Sequence, residues 1–188
     1  KIMKVAICLS GLVGSMSGPN FKYSGGVIHP SMGKYFLDNV LCDHYDVDVF
    51  AHSWSTEMKD EILSTWNPKK HLIEKQIEFY PDIKKYGESF DLDQLAKDRR
   101  YGPSVKYHSK YDYSQTPHSS PEEGEKYFWK HVEKLVWRAH SRWYSNSKCL
   151  ELKKEYQKET GTEYDFVLLT RFDVFYNTRF NLEELDKK

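Results

Sequence analysis

The chain has 188 residues, and its 28 Lys+Arg balance 28 Asp+Glu to a formal net charge of zero. The length fits one domain with a core of its own, and the balance speaks against a bulk nucleic-acid binder, which carries a basic excess. An aromatic fraction of 15% excludes a disordered chain, and no stretch approaches the roughly 18 apolar residues of a membrane span.

The elements follow in chain order. Val5 to Leu9 is a continuous apolar run of strand formers that stops at Ser10 and Gly11, as in a parallel-sheet strand buried on both faces. It is short for a signal-peptide core, and no cleavage-like small-residue site follows. The stretch from Gly11 to Gly26 reads as a loop that only glycine-rich backbone allows. Met32, Tyr35, Phe36, Val40 and Leu41 recur at helical spacing between Ser31 and Leu41. Tyr45 to His52 reads as a second strand, so that strand, loop, helix and strand form a βαβ unit with a right-handed crossover.

Met58 to Trp66 predicts a short helix closed by Asn67 and Pro68, and Leu72 to Phe79 a strand. Tyr80 to Pro121 is the least regular region, expected as a functional or a mobile loop. Pro121 opens a long helical pattern with acids in its first turn, carried by Trp129, Val132, Leu135, Val136, Ala139 and Trp143. Ser145 to Ser147 is the expected point of interruption, and Gly161 the end. Phe166 to Leu169 is a further apolar strand, leading into Thr170, Arg171, Phe172 and Asp173. The three cysteines, Cys8, Cys42 and Cys149, are far apart without a CxxC pair. Reduced thiols and a cytoplasmic setting follow from that pattern.

Open α/β sheets bind ligands beyond the carboxyl ends of their strands. Ser10 and Gly11, His52, Ser53 and Trp54, and Thr170 to Asp173 are therefore expected to converge on one crevice. A carboxylate such as Asp173 can ligate a hard divalent cation that neutralises a diphosphate, and Arg171 can fork onto phosphate. The plainer alternative is an Arg–Asp pair. The Gly11 to Gly18 loop lacks the Gly-Lys-Ser/Thr ending of a Walker A motif and the spacing of a dinucleotide fingerprint. Asp46 and Asp48 form a D-x-D that precedes its strand's apolar end and so points away from the crevice. Asp91 and Asp93 form a second, in a helix-like segment where i and i+2 share no face. Ser141, Arg142, Tyr144, Ser145 and Lys148 cluster on the long helix, where a solvated face is the plain reading. No G-x-S-x-G elbow supports a serine hydrolase.

These motifs, in this order, resemble a family of GT-A-like glycosyltransferases found in bacterial surface-polysaccharide clusters and large DNA viruses. Val5 to Gly11, Asp48 to Trp54, Trp66 to Lys70 running into Ile73 and Phe79, and Tyr164 to Asp173 carry the resemblance, which spans Lys4 to about Tyr176. It implies a Rossmann-like α/β/α sandwich with a mostly parallel sheet. The implied donor is a UDP-, GDP- or dTDP-sugar, with Mn²⁺ or Mg²⁺, and the acceptor a glycan or glycoprotein. Ser10, Gly11, Leu12, His52, Ser53, Ser141, Ser145, Arg171 and Asp173 would contact the nucleotide-sugar, with Asp173 as the metal ligand. Arg171 replaces the first acid of the family's D-x-D, and an Arg that many members carry after the first strand has no counterpart at Leu12 to Ser15. Only 15 residues follow Asp173, so the general base is expected outside this sequence, in a longer polypeptide. A nucleotidyltransferase, a sulfotransferase and a non-catalytic carbohydrate-binding domain are the competing readings.

Overall fold

The computed structural model describes residues 2–13, 45–79, 121–172, 174 and 181–187. The chain divides into two compact units, Lys1–Ile77 with Arg142–Lys188, and Glu78–Ser141. The first holds a four-stranded sheet made of β1 (Lys4–Gly11), β2 (Asp46–Ser53), β3 (Lys70–Ile73) and β4 (Phe166–Arg171). The strands lie in the order β3-β2-β1-β4, and every pairing is parallel. The class is α/β with an all-parallel sheet, compatible with a Rossmann-like arrangement.

Side chains alternate across each strand, and the alternation sorts the core into two layers. Val5, Ile7, Leu9 and Ala51 face one side, where they pack with Met58, Ile62, Trp66, Phe172 and Leu182. Helix α1 (Lys59–Trp66), entered through a 3₁₀ turn at Thr56–Met58, brings Met58, Ile62 and Trp66 there at i, i+4, i+8 spacing. Asn67 closes α1 in the left-handed conformation, φ 43°, and donates its N–H to Leu63 O at 3.0 Å. Lys69 N–H then reaches Val49 O at 2.8 Å and starts β3.

On the other face Ala6, Cys8 and Phe50 meet Cys149, Leu150, Leu152, Tyr156 and Tyr164. The helical residues belong to α2 (Pro121–Thr160), whose part from Arg142 onward lies over β1 and β2. The Cys149 thiol donates to Leu9 O at 2.9 Å. Burial pushes the Cys8 thiol up to about 12 and raises Cys149 as well, so both stay protonated. β4 lies outside that cover. Val167 and Leu169, on its α2 side, are 42% and 44% exposed.

Three expectations change. The strand predicted over Leu72 to Phe79 ends at Ile73, because β2 ends at Ser53 and the Glu74 N–H takes Ser53 O at 3.1 Å as its last partner. α2 runs unbroken through Ser145, Asn146 and Ser147. There Asn146 accepts from Ser10 and Ser147 donates to Glu151, so neither side chain competes for the helix backbone. Ser10, Gly11, Thr170 and Arg171 are the last residues of their strands and not the start of loops. Gly161 ends α2 as expected, with φ 69° and its N–H on Gln157 O at 2.9 Å. The helix predicted at 31–41, the loop beyond Val13, Cys42, and residues 80–120 with Asp91 and Asp93 lie outside the described residues.

The second unit contains the first part of α2. Within it the Phe79 ring meets Trp137 and His140, each at 6.2 Å between centroids. Among the described residues no helix is long and apolar enough to cross a membrane.

Candidate functional site at the carboxyl edge of the sheet

In a fully parallel sheet every strand delivers its last residues to one edge. Here Leu72, His52, Ser10 and Arg171 stand in one register row across β3, β2, β1 and β4. Their side chains share the α2 face. The chain adds strands outward from β1 to β2 to β3 and then returns to β4 on the other side of β1. Strand order therefore reverses between β1 and β4, the place where open α/β sheets bind ligands. Ser10 and Arg171 flank that point. The Ser10 hydroxyl donates to Asn146 Oδ1 at 2.7 Å, tying β1 to α2 there.

One strand away lies a polar and aromatic cluster. The His52 ring is wholly buried, and its Nε2 lies 3.1 Å from Glu74 Oε1. The Tyr144 hydroxyl donates to the same oxygen at 3.0 Å. Trp54 stacks on Tyr144 at 5.3 Å and meets His52 edge-on at 4.6 Å. Lys148 Nζ stands 5.4 Å from the centroid of the Tyr144 ring. The Tyr144 ring is thus packed by Trp54, His52 and Lys148 of the same chain, so these aromatics act as scaffold and not as an open stacking platform. Three buried polar atoms here, His52 Nδ1, Trp54 Nε1 and Ser145 Oγ, find no hydrogen-bond partner among the described residues.

Burial lowers the His52 pKa below its ordinary 6.5, and the Glu74 contact offsets only part of that. The neutral ring donates Nε2–H to Glu74, which leaves Nδ1 a bare acceptor. Because the folded pKa is depressed, the unfolded chain binds the proton more readily. Stability is then full above the unfolded value and falls as pH drops through the folded one. The melting temperature should hold steady above about pH 7 and decline below about pH 6.5. His71, also lowered by burial, adds to that slope. His52→Gln should flatten it, and an unchanged slope in that variant would refute the role given to His52.

The loop after β1 is fixed by a serine relay. The Ser53 hydroxyl donates to Gly11 O at 2.8 Å and accepts the Ser55 N–H at 3.1 Å. The Ser55 hydroxyl in turn accepts the Val13 N–H at 3.1 Å. Gly11 has φ 104°, a conformation open to glycine, and Leu12 beyond it is 44% exposed. Ser53 is buried with its hydroxyl engaged on both sides, so its part is to hold Gly11 to Val13 against the end of β2.

The opposite edge carries the first D-x-D, away from the crevice as expected. Asp48 is buried, accepts the Tyr164 hydroxyl at 2.8 Å, and lies 3.2 Å from Lys4 Nζ and 3.6 Å from Lys69 Nζ. Asp46 takes Lys4 Nζ at 2.7 Å.

Of the residues singled out in the sequence, Ser10, Gly11, Leu12, His52, Ser53, Ser145 and Arg171 come to the carboxyl edge. Ser145 is buried, against the solvated face expected for it. Ser141 belongs to the second unit, where it is also buried. Asp173, the expected metal ligand, lies outside the described residues. Among the described residues no group of three or more His, Cys, Asp or Glu is placed to hold a metal ion. Glu74, Tyr144 as its donor, and Asn146 were not foreseen as partners in the site. No protein-family model, curated protein or solved structure matches the chain.

Proposed function

We propose that this chain is a glycosyltransferase domain that moves a sugar from a nucleoside-diphosphate donor to a glycan or glycoprotein acceptor. The observation that carries the reading is the row at the switch point. Ser10 and the exposed Arg171 stand on adjacent parallel strands, on one face, at the carboxyl edge. Departure of a nucleoside diphosphate develops negative charge that must be met by fixed positive groups. A guanidinium at the end of β4 can do this through paired N–H donors. The loop held by Ser53 and Ser55 presents Gly11 to Val13 on the neighbouring strand, and the motif order from Val5 to Asp173 supports the same reading. Mn²⁺ or Mg²⁺ at Asp173 belongs to the proposal as well.

The test is thermal unfolding with UDP, GDP, dTDP and CMP, each with and without Mn²⁺. A ligand that binds only the native state at a hundred times its Kd stabilises by about 2.7 kcal/mol, a rise of roughly 5–10 °C at this size. The expected result is such a shift with at least one nucleoside diphosphate and none with CMP. A shift that requires Mn²⁺ supports the metal at Asp173, and one without it supports Arg171 as the diphosphate partner. Absence of any shift would refute the transferase reading and favour a non-catalytic carbohydrate-binding domain.

A further inference from the structure

Glu74 is the acidic group that the carboxyl edge offers on the β2–β3 side. Both donors that hold it, His52 Nε2 and the Tyr144 hydroxyl, converge on Oε1. Oε2 has no partner among the described residues, and the side chain is 30% exposed. The carboxylate is therefore oriented by two bonds to one oxygen, while the second oxygen of this partly exposed side chain keeps its acceptor capacity among the described residues. The backbone reinforces this, since the Glu74 N–H is anchored on Ser53 O at the end of β2. The His52 ring that holds it has a buried Nδ1, and Trp54, edge-on to that ring, a buried Nε1, both without a hydrogen-bond partner among the described residues. Such atoms are rare in native folds unless a water or ligand completes the set.

An anchored carboxylate with one open oxygen suits three roles: metal ligand, general base, or acceptor for a ligand hydroxyl. The described residues give it no companions for a metal. Distance decides between the other two. Neighbouring strands lie about 4.8 Å apart, so the carboxylate, held against His52 on β2, stands about one strand spacing from β1 and roughly 10 Å from β4. The reacting carbon of a donor sugar is bonded to the diphosphate, which the transferase reading places between β1 and β4. Glu74 is too far from there to take a proton from an attacking hydroxyl, which requires contact within about 3.2 Å or one bridging water. It does lie where the other end of the same molecule would reach.

We propose that Glu74 is a specificity residue whose Oε2 accepts the 2′-hydroxyl of the ribose of a nucleoside diphosphate laid from the end of β2 toward the β1–β4 switch point. The assignment rests on the transferase reading and adds to it the sugar of the nucleotide. His52 and Tyr144 are positioning residues that keep the carboxylate turned outward.

The test is calorimetric binding of UDP against 2′-deoxy-UDP, and GDP against 2′-deoxy-GDP, to the native chain and to Glu74→Gln, with Mn²⁺ present. The native chain should prefer one ribonucleotide over its deoxy form by about tenfold or more, the worth of a hydrogen bond to a charged group. Glu74→Gln should cut that ratio to about threefold or less while leaving affinity for the deoxy form nearly unchanged. Tyr144→Phe, which keeps the ring, should lower the ratio by less. Equal binding of the two forms by the native chain, or the same preference in Glu74→Gln, would overturn this assignment and leave the transferase reading standing. No binding of any nucleoside diphosphate would overturn both.

Discussion

Asp48→Ala should lower stability by about 3 kcal/mol, because it removes a buried charge from the middle of a network. The carboxylate is nearly inaccessible, at 5% exposure. Its loss leaves the Tyr164 hydroxyl without its acceptor and takes one counter-ion from Lys4, which keeps Asp46. Lys69 is 45% exposed and contributes little, since water screens such pairs. Tyr164 also packs edge-on against Phe50 at 5.9 Å, so a rotated Tyr164 would disturb the layer between the sheet and α2. Asp48→Asn keeps an oxygen for Tyr164 and should cost less than half as much. At 2–4 °C per kcal/mol for this size, the alanine variant should melt roughly 6–12 °C lower. Nucleotide binding at the far edge should survive in whichever fraction is folded. Equal melting temperatures for native and Asp48→Ala would remove the network from any account of stability.

The same pair shows what spacing can and cannot reveal. A D-x-D is an invitation to read a metal site, and its place before the apolar part of its strand was enough to set it at the wrong edge. Val5 to Leu9 was legible because a strand covered on both faces needs an unbroken apolar run, and all five residues are buried. Phe166 to Leu169 gave the same signal for a different outcome, since Val167 and Leu169 stay half exposed. A hydrophobic run reports strand propensity and not which neighbour covers it. That the strand ends meet along one edge was legible because strand order and direction follow from chain order. Its internal wiring was not. Glu74 lies 22 residues from His52 and 70 from Tyr144, and Asn146 lies 136 from Ser10. No periodicity links such positions, and Glu74 stood inside a predicted strand with nothing local to mark it. Ser145 read as a solvated helix residue because a polar residue on a long helix usually is one. Its burial comes from the sheet beneath it, one turn before Cys149.

Arg171→Ala should reduce donor turnover by about 10²- to 10³-fold, the loss found when one preorganised donor to a developing anion is removed. The assay is hydrolysis of the nucleotide-sugar that gives a thermal shift, which needs no added acceptor. Arg171 ends β4 beside the switch point, on the face it shares with Ser10, and its side chain is exposed. Melting temperature is read alongside, so activity lost from a chain that still melts as a folded protein is the diagnostic outcome. Arg171→Lys keeps the charge but gives up the planar fork that pairs with two oxygens at once. It should fall between alanine and native if the fork matters, and match native if a point charge suffices. The burden should fall mainly on kcat, because the charge on the leaving diphosphate grows toward the transition state and an interaction made there shows in kcat. A loss confined to KM would make Arg171 a ground-state anchor for the nucleotide instead. Unchanged turnover in Arg171→Ala would take Arg171 out of the site and leave the diphosphate to be held by groups other than this guanidinium.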